Sequence, residues 1–133
     1  MKIKDVEGIG VAYAEKLSGI GIETTAALLK AGKTPQGRKE LAEKTDISAK
    51  LILEWVNHAD LFRIKGVGSE YADLLEEAGV DTVPELAQRN ATNLYAKMAE
   101  VNTEKKLVRR IPPQVTVDDW VKQAKELPRV IEY

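Results

Sequence analysis

The sequence predicts an all-α fold, and three observations lead to that prediction. Apolar residues recur at the three- and four-residue spacing of helices that bury one face. Glycine, threonine and proline divide the chain into short segments at positions where helices usually begin or end. No segment shows the strict alternation of apolar and polar residues that indicates a β-strand. The 133 residues, 44% of them hydrophobic, are enough to bury a core.

Four helices are predicted in the first half of the chain, each beginning at a residue that favours a helix start. Thr24 is expected to cap the second helix, and Thr34 followed by Pro35 to open the third. Asp46 and Ser48 are both possible openers of the fourth. The expected spans are residues 11–18, a short helix around 27–29, residues 35–44, and a long helix ending near residue 60.

Four more helices are predicted in the second half. Thr82 and Glu85 have capping-box spacing, in which the threonine accepts from the Glu85 N–H and the carboxylate reaches back to the cap. Trp120 shares an apolar face with Val121 in the last helix, and Trp55 has the same place in the first half. We expect both tryptophans to pack in the core. The expected spans are residues 83–88, 94–101, 104–109 and 117–127.

The main feature of organisation is an internal repeat. Residues 6–17 align with residues 64–75, so that Gly8 and Gly10 match Gly66 and Gly68. Tyrosine, alanine and leucine positions stay in register, and Trp55 matches Trp120 after an extra segment. The sequence therefore predicts a first repeat over residues 1–62 and a diverged second repeat over 63–133, with an insertion near 107–115. Both repeats are expected to pack as one compact domain, because each is small.

Each repeat begins with the pattern hydrophobic–Gly–hydrophobic–Gly, followed by alanine and leucine at helical spacing. This pattern resembles the helix-hairpin-helix motif. The whole chain resembles an uncharacterised bacterial family of tandem helix-hairpin-helix proteins, a domain of unknown function. That family is similar to the helix-hairpin-helix part of flap nucleases and DNA-repair proteins. The resemblance implies a duplicated, SAM-domain-like helical bundle that contacts DNA through its hairpins.

The chemistry of such a hairpin is backbone chemistry. Two glycines allow a tight turn, and the N–H groups at the start of the following helix point outward with the positive end of the helix dipole. These groups form a site for a phosphate oxygen. The predicted nucleic-acid-binding residues are Gly8, Ile9, Gly10, Val11, Ala12, Lys16, Lys65, Gly66, Val67, Gly68, Ser69, Arg109 and Arg110.

Charge makes the two hairpins unequal candidates. Lys16 follows the first hairpin, although Glu7 and Glu15 lie close to it in sequence. Four acidic residues follow Gly68 and oppose an approaching phosphate: Glu70, Asp73, Glu76 and Glu77. We therefore expect the first hairpin to be the better phosphate site. Arg109 and Arg110 lie in the insertion. The alternative interpretation is that they are only solvated side chains at a helix end.

Two classes of function remain open. The first is non-enzymatic, sequence-independent binding of double-stranded or branched DNA. The alternative is a protein-interaction adaptor on the same scaffold, which the net charge of −1 and the acidic second hairpin favour. An enzyme is not expected, because the resemblance covers the DNA-gripping accessory of the nucleases and none of their catalytic core.

No cofactor, metal or small-molecule substrate is expected. Cysteine is absent and His58 is the sole histidine, which we expect at the surface or half-buried, so zinc ligands are lacking. Tyr13 and Tyr71 are expected to be half-buried with solvated hydroxyls. No apolar run approaches the roughly 20 residues that span a bilayer, and a cytoplasmic protein without membrane association is expected. The oligomeric state is not indicated.

Overall fold

The computed structural model of this chain describes residues 1–6 and 8–133, and this part is all-helical. It contains eight α-helices and a 3-10 turn at Ile3–Asp5. An isolated bridge pairs Lys2 with Thr24, and no strand occurs among the residues described. The predicted all-α class is confirmed. The helices are α1 (Val11–Ser18), α2 (Thr25–Gly32), α3 (Pro35–Thr45), α4 (Ala49–Leu61), α5 (Ser69–Glu77), α6 (Val83–Ala87), α7 (Ala91–Lys105) and α8 (Gln114–Glu126).

The chain divides into two compact units. Unit 1 comprises Met1–Asp60 together with Val130–Tyr133, and unit 2 comprises Leu61–Arg129. The division falls in the last turn of α4, close to the join expected between the repeats, while the last four residues belong to unit 1. The packing of both repeats as one compact domain stays a prediction.

Side-chain caps explain where the helices of unit 1 begin. The hydroxyls of Thr24 and Thr34 each accept from the backbone N–H three residues further on, at 3.1 and 3.0 Å. Ser48 does the same at the start of α4, at 3.2 Å. Of the two openers that the sequence left possible, Ser48 is therefore the cap. Asp46 instead ends α3 with a left-handed backbone, φ 58°.

Unit 2 departs from the predicted helices after α6. Residues 94–101 are helical as expected, but a separate helix at 104–109 is wrong, because one helix, α7, runs through Ala91–Lys105. It begins three residues early because the Asn90 side chain accepts from the Asn93 N–H at 3.0 Å. It ends because Lys106 adopts a left-handed backbone, φ 51°. Residues 106–113 are not helical.

The capping box predicted at α6 is also wrong, because its two expected hydrogen bonds are not formed. Thr82 makes no side-chain capping bond within the described chain, and it is buried. The Glu85 carboxylate does reach back, but it accepts from the Asp81 N–H at 3.1 Å. At α8, the helix begins at Gln114, three residues before the expected start, directly after Pro113.

Each unit contains a tyrosine ring packed against a buried tryptophan. The Tyr13 and Trp55 ring centroids lie 5.2 Å apart in unit 1, and those of Tyr71 and Trp120 lie 5.4 Å apart in unit 2. The planes are inclined by 60° in the edge-to-face pair of unit 1 and by 57° in the tilted pair of unit 2. The predicted core positions of both tryptophans are confirmed, with exposures of 5% and 1%.

Unit 1 is closed by the last residues of the chain. The Glu132 N–H donates to the Lys33 carbonyl at 2.7 Å, and the Tyr133 hydroxyl donates to Asn57 Oδ1 at 3.0 Å. Arg38 is only 7% exposed and donates to the carbonyls of Gly32 and Glu132, both at 2.9 Å. Arg38 is therefore a structural cation that holds the C-terminal segment on α2 and α3.

Helices α2 and α4 approach closely at Gly32. A Cβ atom at this position would lie 2.5 Å from Cγ2 of Val56, a distance that only a shift of the surrounding structure could relieve. Val56 is fully buried and β-branched, so its side chain has little freedom to move. Glycine at position 32 therefore sets the spacing of these helices.

We expect Gly32→Ala to lower the free energy of unfolding by about 1–3 kcal/mol, the usual cost of overpacking a core. Gly19→Ala is the matched control, because its Cβ would make only ordinary contacts with backbone carbonyls, the nearest at 3.4 Å. Urea unfolding of both variants measures the difference. Equal stability of the two variants would contradict the close approach of α2 and α4.

Candidate nucleic-acid interface

The first glycine turn is held from the inside by apolar side chains. Val6 and Ile9 are buried on either side of Gly8, and the Ile9 N–H donates to the Val6 carbonyl at 3.3 Å. Gly8 has φ +90°, a backbone conformation that favours glycine. Gly10 follows in an extended conformation as the N-cap of α1. The Val6 and Ile9 side chains therefore lie inward, and both glycines are exposed.

Backbone N–H groups are exposed where this turn meets α1. The hydrogen-bond ladder of the helix starts with the Ala14 N–H, which donates to the Gly10 carbonyl at 3.0 Å. The N–H groups before it have no intrahelical acceptor, and glycine at the N-cap has no side chain to offer one. Val11 is 75% exposed, and Ala12 is exposed as well. This arrangement can accept an anion at the positive end of α1.

The second glycine turn repeats this geometry. Gly66 has φ +97°, and the Val67 N–H donates to the Ile64 carbonyl at 3.2 Å. Gly68 is the extended N-cap of α5, and its carbonyl accepts the first bond of that helix, from Ala72 at 2.9 Å. The two turns are alike in backbone and differ in what surrounds them.

Side chains from α8 press against the second turn. A Cβ at Gly66 would lie 3.0 Å from Nε1 of Trp120. The Gln123 amide brackets the backbone of Lys65, accepting from its N–H at 2.9 Å and donating to its carbonyl at 3.2 Å. At Gly8, by contrast, a Cβ would meet no described atom within 4 Å. The first turn is the more open of the two.

The charged side chains on the two following helices also differ. Lys16 is exposed in the last turn of α1, next to the exposed Glu15. On α5, Glu70 is exposed in the first turn and Asp73 is half-buried. Glu77, at the far end of α5, forms an ion pair with Lys105. Glu7, which the sequence placed beside the first turn, lies outside the described residues.

The insertion brings an arginine pair to the second helix start. Arg109 and Arg110 are both exposed, and the Arg110 carbonyl accepts from the Tyr71 hydroxyl of α5 at 3.3 Å. The Tyr71 hydroxyl, expected to be solvated, thus bonds to the backbone. Unit 2 therefore has cations near α5: the arginine pair and the exposed Lys65.

Some predicted residues can contribute only through their backbone. The side chains of Ile9 and Val67 are buried and belong to the core, whereas Ser69 is half-buried at the start of α5. His58 is 9% exposed and thus buried, which corrects the expected surface or half-buried position. It lies on the same helix as Trp55 and Val56, so burial follows the inward face of α4.

Sequence reasoning missed two lysines next to α1. Lys2 and Lys4 are exposed and line a cleft with Ala14 and Ser18 of α1. The segment is fixed there by a backbone bond from Ile3 to the Glu23 carbonyl, at 2.9 Å. The Lys-x-Lys spacing at the start of the chain was the available signal, but only the fold brings it against α1.

Comparison with known proteins gives a family without a described activity. The chain belongs to the family described as "Domain of unknown function (DUF4332)", whose model matches residues 7–127. No curated protein and no solved structure matches the chain. Across the described residues, none of the helices combines the length and apolar character needed to cross a membrane.

We expect alanine to be tolerated better at Gly8 than at Gly66. Both positions have positive φ, which costs a residue with a Cβ roughly 1–2 kcal/mol. At Gly66 the Cβ must also displace the Trp120 indole, so the loss in unfolding free energy should be larger there. Thermal or urea unfolding checks this, with Gly10→Ala as a control of negative φ and open space. A smaller loss at Gly66 than at Gly8 would contradict the surroundings described for the two turns.

Proposed function

We propose that this protein binds nucleic acid without catalysis and without sequence preference, through contacts between the first glycine turn and backbone phosphates. The observation that carries the proposal is the open start of α1. There, Gly10 is extended, Val11 and Ala12 are exposed, and the N-cap residue itself, a glycine, has no side chain to cap the N–H groups. Double-stranded or branched DNA is the proposed partner.

The recurrence of the turn supports a duplicated helix-hairpin-helix architecture of the SAM-domain-like kind. Positive φ at Gly8 and Gly66 and a tyrosine–tryptophan pair occur in both units. This architecture is similar to the helix-hairpin-helix part of flap nucleases and DNA-repair proteins. The proposed activity follows that accessory role, in which a hairpin grips a phosphate and performs no chemistry.

Binding of this kind is weak at each contact. A phosphate at an exposed helix start gains about 0.3–1 kcal/mol, so several contacts are needed for measurable affinity. Lys16 adds attraction in unit 1, while Lys65, Arg109 and Arg110 offer it in unit 2. Because these groups meet phosphates and not base edges, they position the protein without reading sequence.

A protein-interaction adaptor is the second candidate, and the surface of the helix starts favours it. Val11 is 75% exposed at the start of α1, and Val115 is 70% exposed in the first turn of α8. Glu70 and its neighbouring acids suit a basic partner better than a phosphate backbone. In this alternative the glycines serve the turn alone.

Titration of a fluorescent DNA duplex with the protein tests the proposal. Affinity should fall steeply between about 50 and 200 mM salt, because phosphate contacts release counterions. Lys16→Glu should weaken binding about three- to tenfold on every duplex sequence alike, because reversing the charge of this exposed side chain in the last turn of α1 replaces attraction of the phosphate backbone by repulsion.

Lys30→Glu is the matched control for this titration, because Lys30 is an exposed lysine near the end of α2. It should leave the affinity within about twofold, since Lys30 is not part of the proposed phosphate site. Absence of binding at low salt and high micromolar protein would overturn the nucleic-acid proposal. If Lys16→Glu and Lys30→Glu lowered the DNA affinity equally, the first turn would not be the phosphate site.

A further inference from the structure

A groove in unit 1 holds a peptide segment of the chain itself. The groove lies where α2 passes into α3 and where α4 runs past that junction, and it holds the last residues of the chain. The segment is bound through the Lys33 carbonyl, the Arg38 guanidinium and the Asn57 amide. Ile131 is its buried anchor, 2% exposed. Main-chain bonds and one apolar side chain thus define how an extended segment docks in this groove.

Unit 2 has a groove at the corresponding place. It lies where α6 passes into α7 and where α8 runs past that junction, with Arg89 and Asn90 on one side and Lys122 and Lys125 on the other. The correspondence is fixed by the tryptophans. Asn57 lies two residues after Trp55, and Lys122 lies two residues after Trp120. In both units, a capped helix begins at the groove: α3 after Thr34 and α7 after Asn90.

The two grooves differ in charge and in cover. Lys122 and Lys125 are exposed on α8, where unit 1 has Asn57 and Asp60 in the same register after the tryptophan. Arg89 is held in place by a bond from Nη1 to the Ala78 carbonyl at 3.3 Å. Asp118 is the single carboxylate that lines the described groove, so three cations face one anion. No segment of the described chain lines this groove from outside α6, α7 and α8 and their junctions.

We propose that the groove between the start of α7 and α8 binds an extended acidic peptide segment of a partner protein. Its cations attract carboxylates, and Val121, a buried side chain of α8, gives it an apolar floor. The same position in unit 1 is occupied by a peptide that carries a glutamate and an aromatic residue, so the fold accommodates an extended chain there. This partner site is made of other residues than the phosphate site of the first glycine turn and does not depend on it.

Two observations favour a peptide over a nucleic acid: the shape of the groove, and the peptide segment bound in the equivalent groove of unit 1. The groove runs along α8 with an apolar floor, which suits alternate side chains of an extended peptide. Aromatic side chains for base stacking do not line it in the described structure. In unit 1, the equivalent groove already binds a backbone through its N–H and carbonyl groups.

Fluorescence anisotropy with two labelled peptides tests the site on the full chain. The first peptide repeats the tail sequence Val-Ile-Glu-Tyr behind two added glutamates, and the second replaces every glutamate by glutamine. The acidic peptide should bind at least about tenfold more tightly at low salt, because two or more rim charges are lost in the neutral one. The double variant Lys122→Glu, Lys125→Glu should weaken the acidic peptide at least tenfold.

Control variants separate this groove from the rest of the protein. Lys97→Glu changes an exposed lysine of α7 that lies near Glu100, and it should leave peptide affinity unchanged. Asp118→Asn removes the one carboxylate and should tighten the acidic peptide about two- to threefold. Circular dichroism checks that each variant is folded, which is expected because all these side chains are exposed.

Three results would overturn the proposal. Equal affinity for both peptides would show that the groove does not recognise the carboxylates. Binding that survives the Lys122→Glu, Lys125→Glu change places the peptide elsewhere, for example in exchange with the tail of unit 1. A single-stranded oligothymidine that binds through Lys122 and Lys125 where the acidic peptide does not would assign the groove to nucleic acid.

Discussion

The positive φ of Gly8 and Gly66 is the constraint on which both units depend. Each glycine lies between two buried apolar residues, and the chain must reverse there without exposing either of them. An L-residue with a side chain would resist this backbone by roughly 1–2 kcal/mol. Because the turn is fixed, the next helix begins at a set point with its N–H groups outward. The proposed phosphate site is thus a consequence of the way the core is closed.

The two units have similar helical frameworks but different surfaces. The aromatic pairs Tyr13–Trp55 and Tyr71–Trp120 have nearly the same geometry. Around them, Gln123 and Trp120 close the second turn, whereas the described atoms leave the first turn open. For the grooves the order is reversed. The tail fills the groove beside α4 in unit 1, whereas the groove beside α8 in unit 2 is lined by cations. The same helical frame can therefore support a phosphate contact in one unit and a peptide contact in the other.

Local signals in the sequence were sufficient for the helix starts of the first unit and insufficient for parts of the second. Thr24 and Thr34 cap as expected because an N-cap bond needs only a neighbour three residues away. The single helix α7 was missed because Asn90 and Lys106 fix its ends, and neither residue type is decisive without the surrounding fold. The burial of Arg38 could not be predicted, since its carbonyl acceptor at Glu132 lies at the far end of the chain. The two hydrogen bonds between the Gln123 amide and the Lys65 backbone could not be predicted either. They depend on the register of α8, and the insertion before α8 obscures that register in the sequence.

The most direct measurement of the central claim is an amide NMR titration with a short DNA duplex at low salt. If the first turn is the phosphate site, the largest shift changes should fall on Gly10, Val11 and Ala12, because their N–H groups would donate to the phosphate oxygen. The amides of Gly68 and Ser69 should change less, since Trp120 and Gln123 lie against the second turn and Glu70 is in the first turn of α5. Largest changes at Gly68 and Ser69, or none at either turn under binding conditions, would contradict the account.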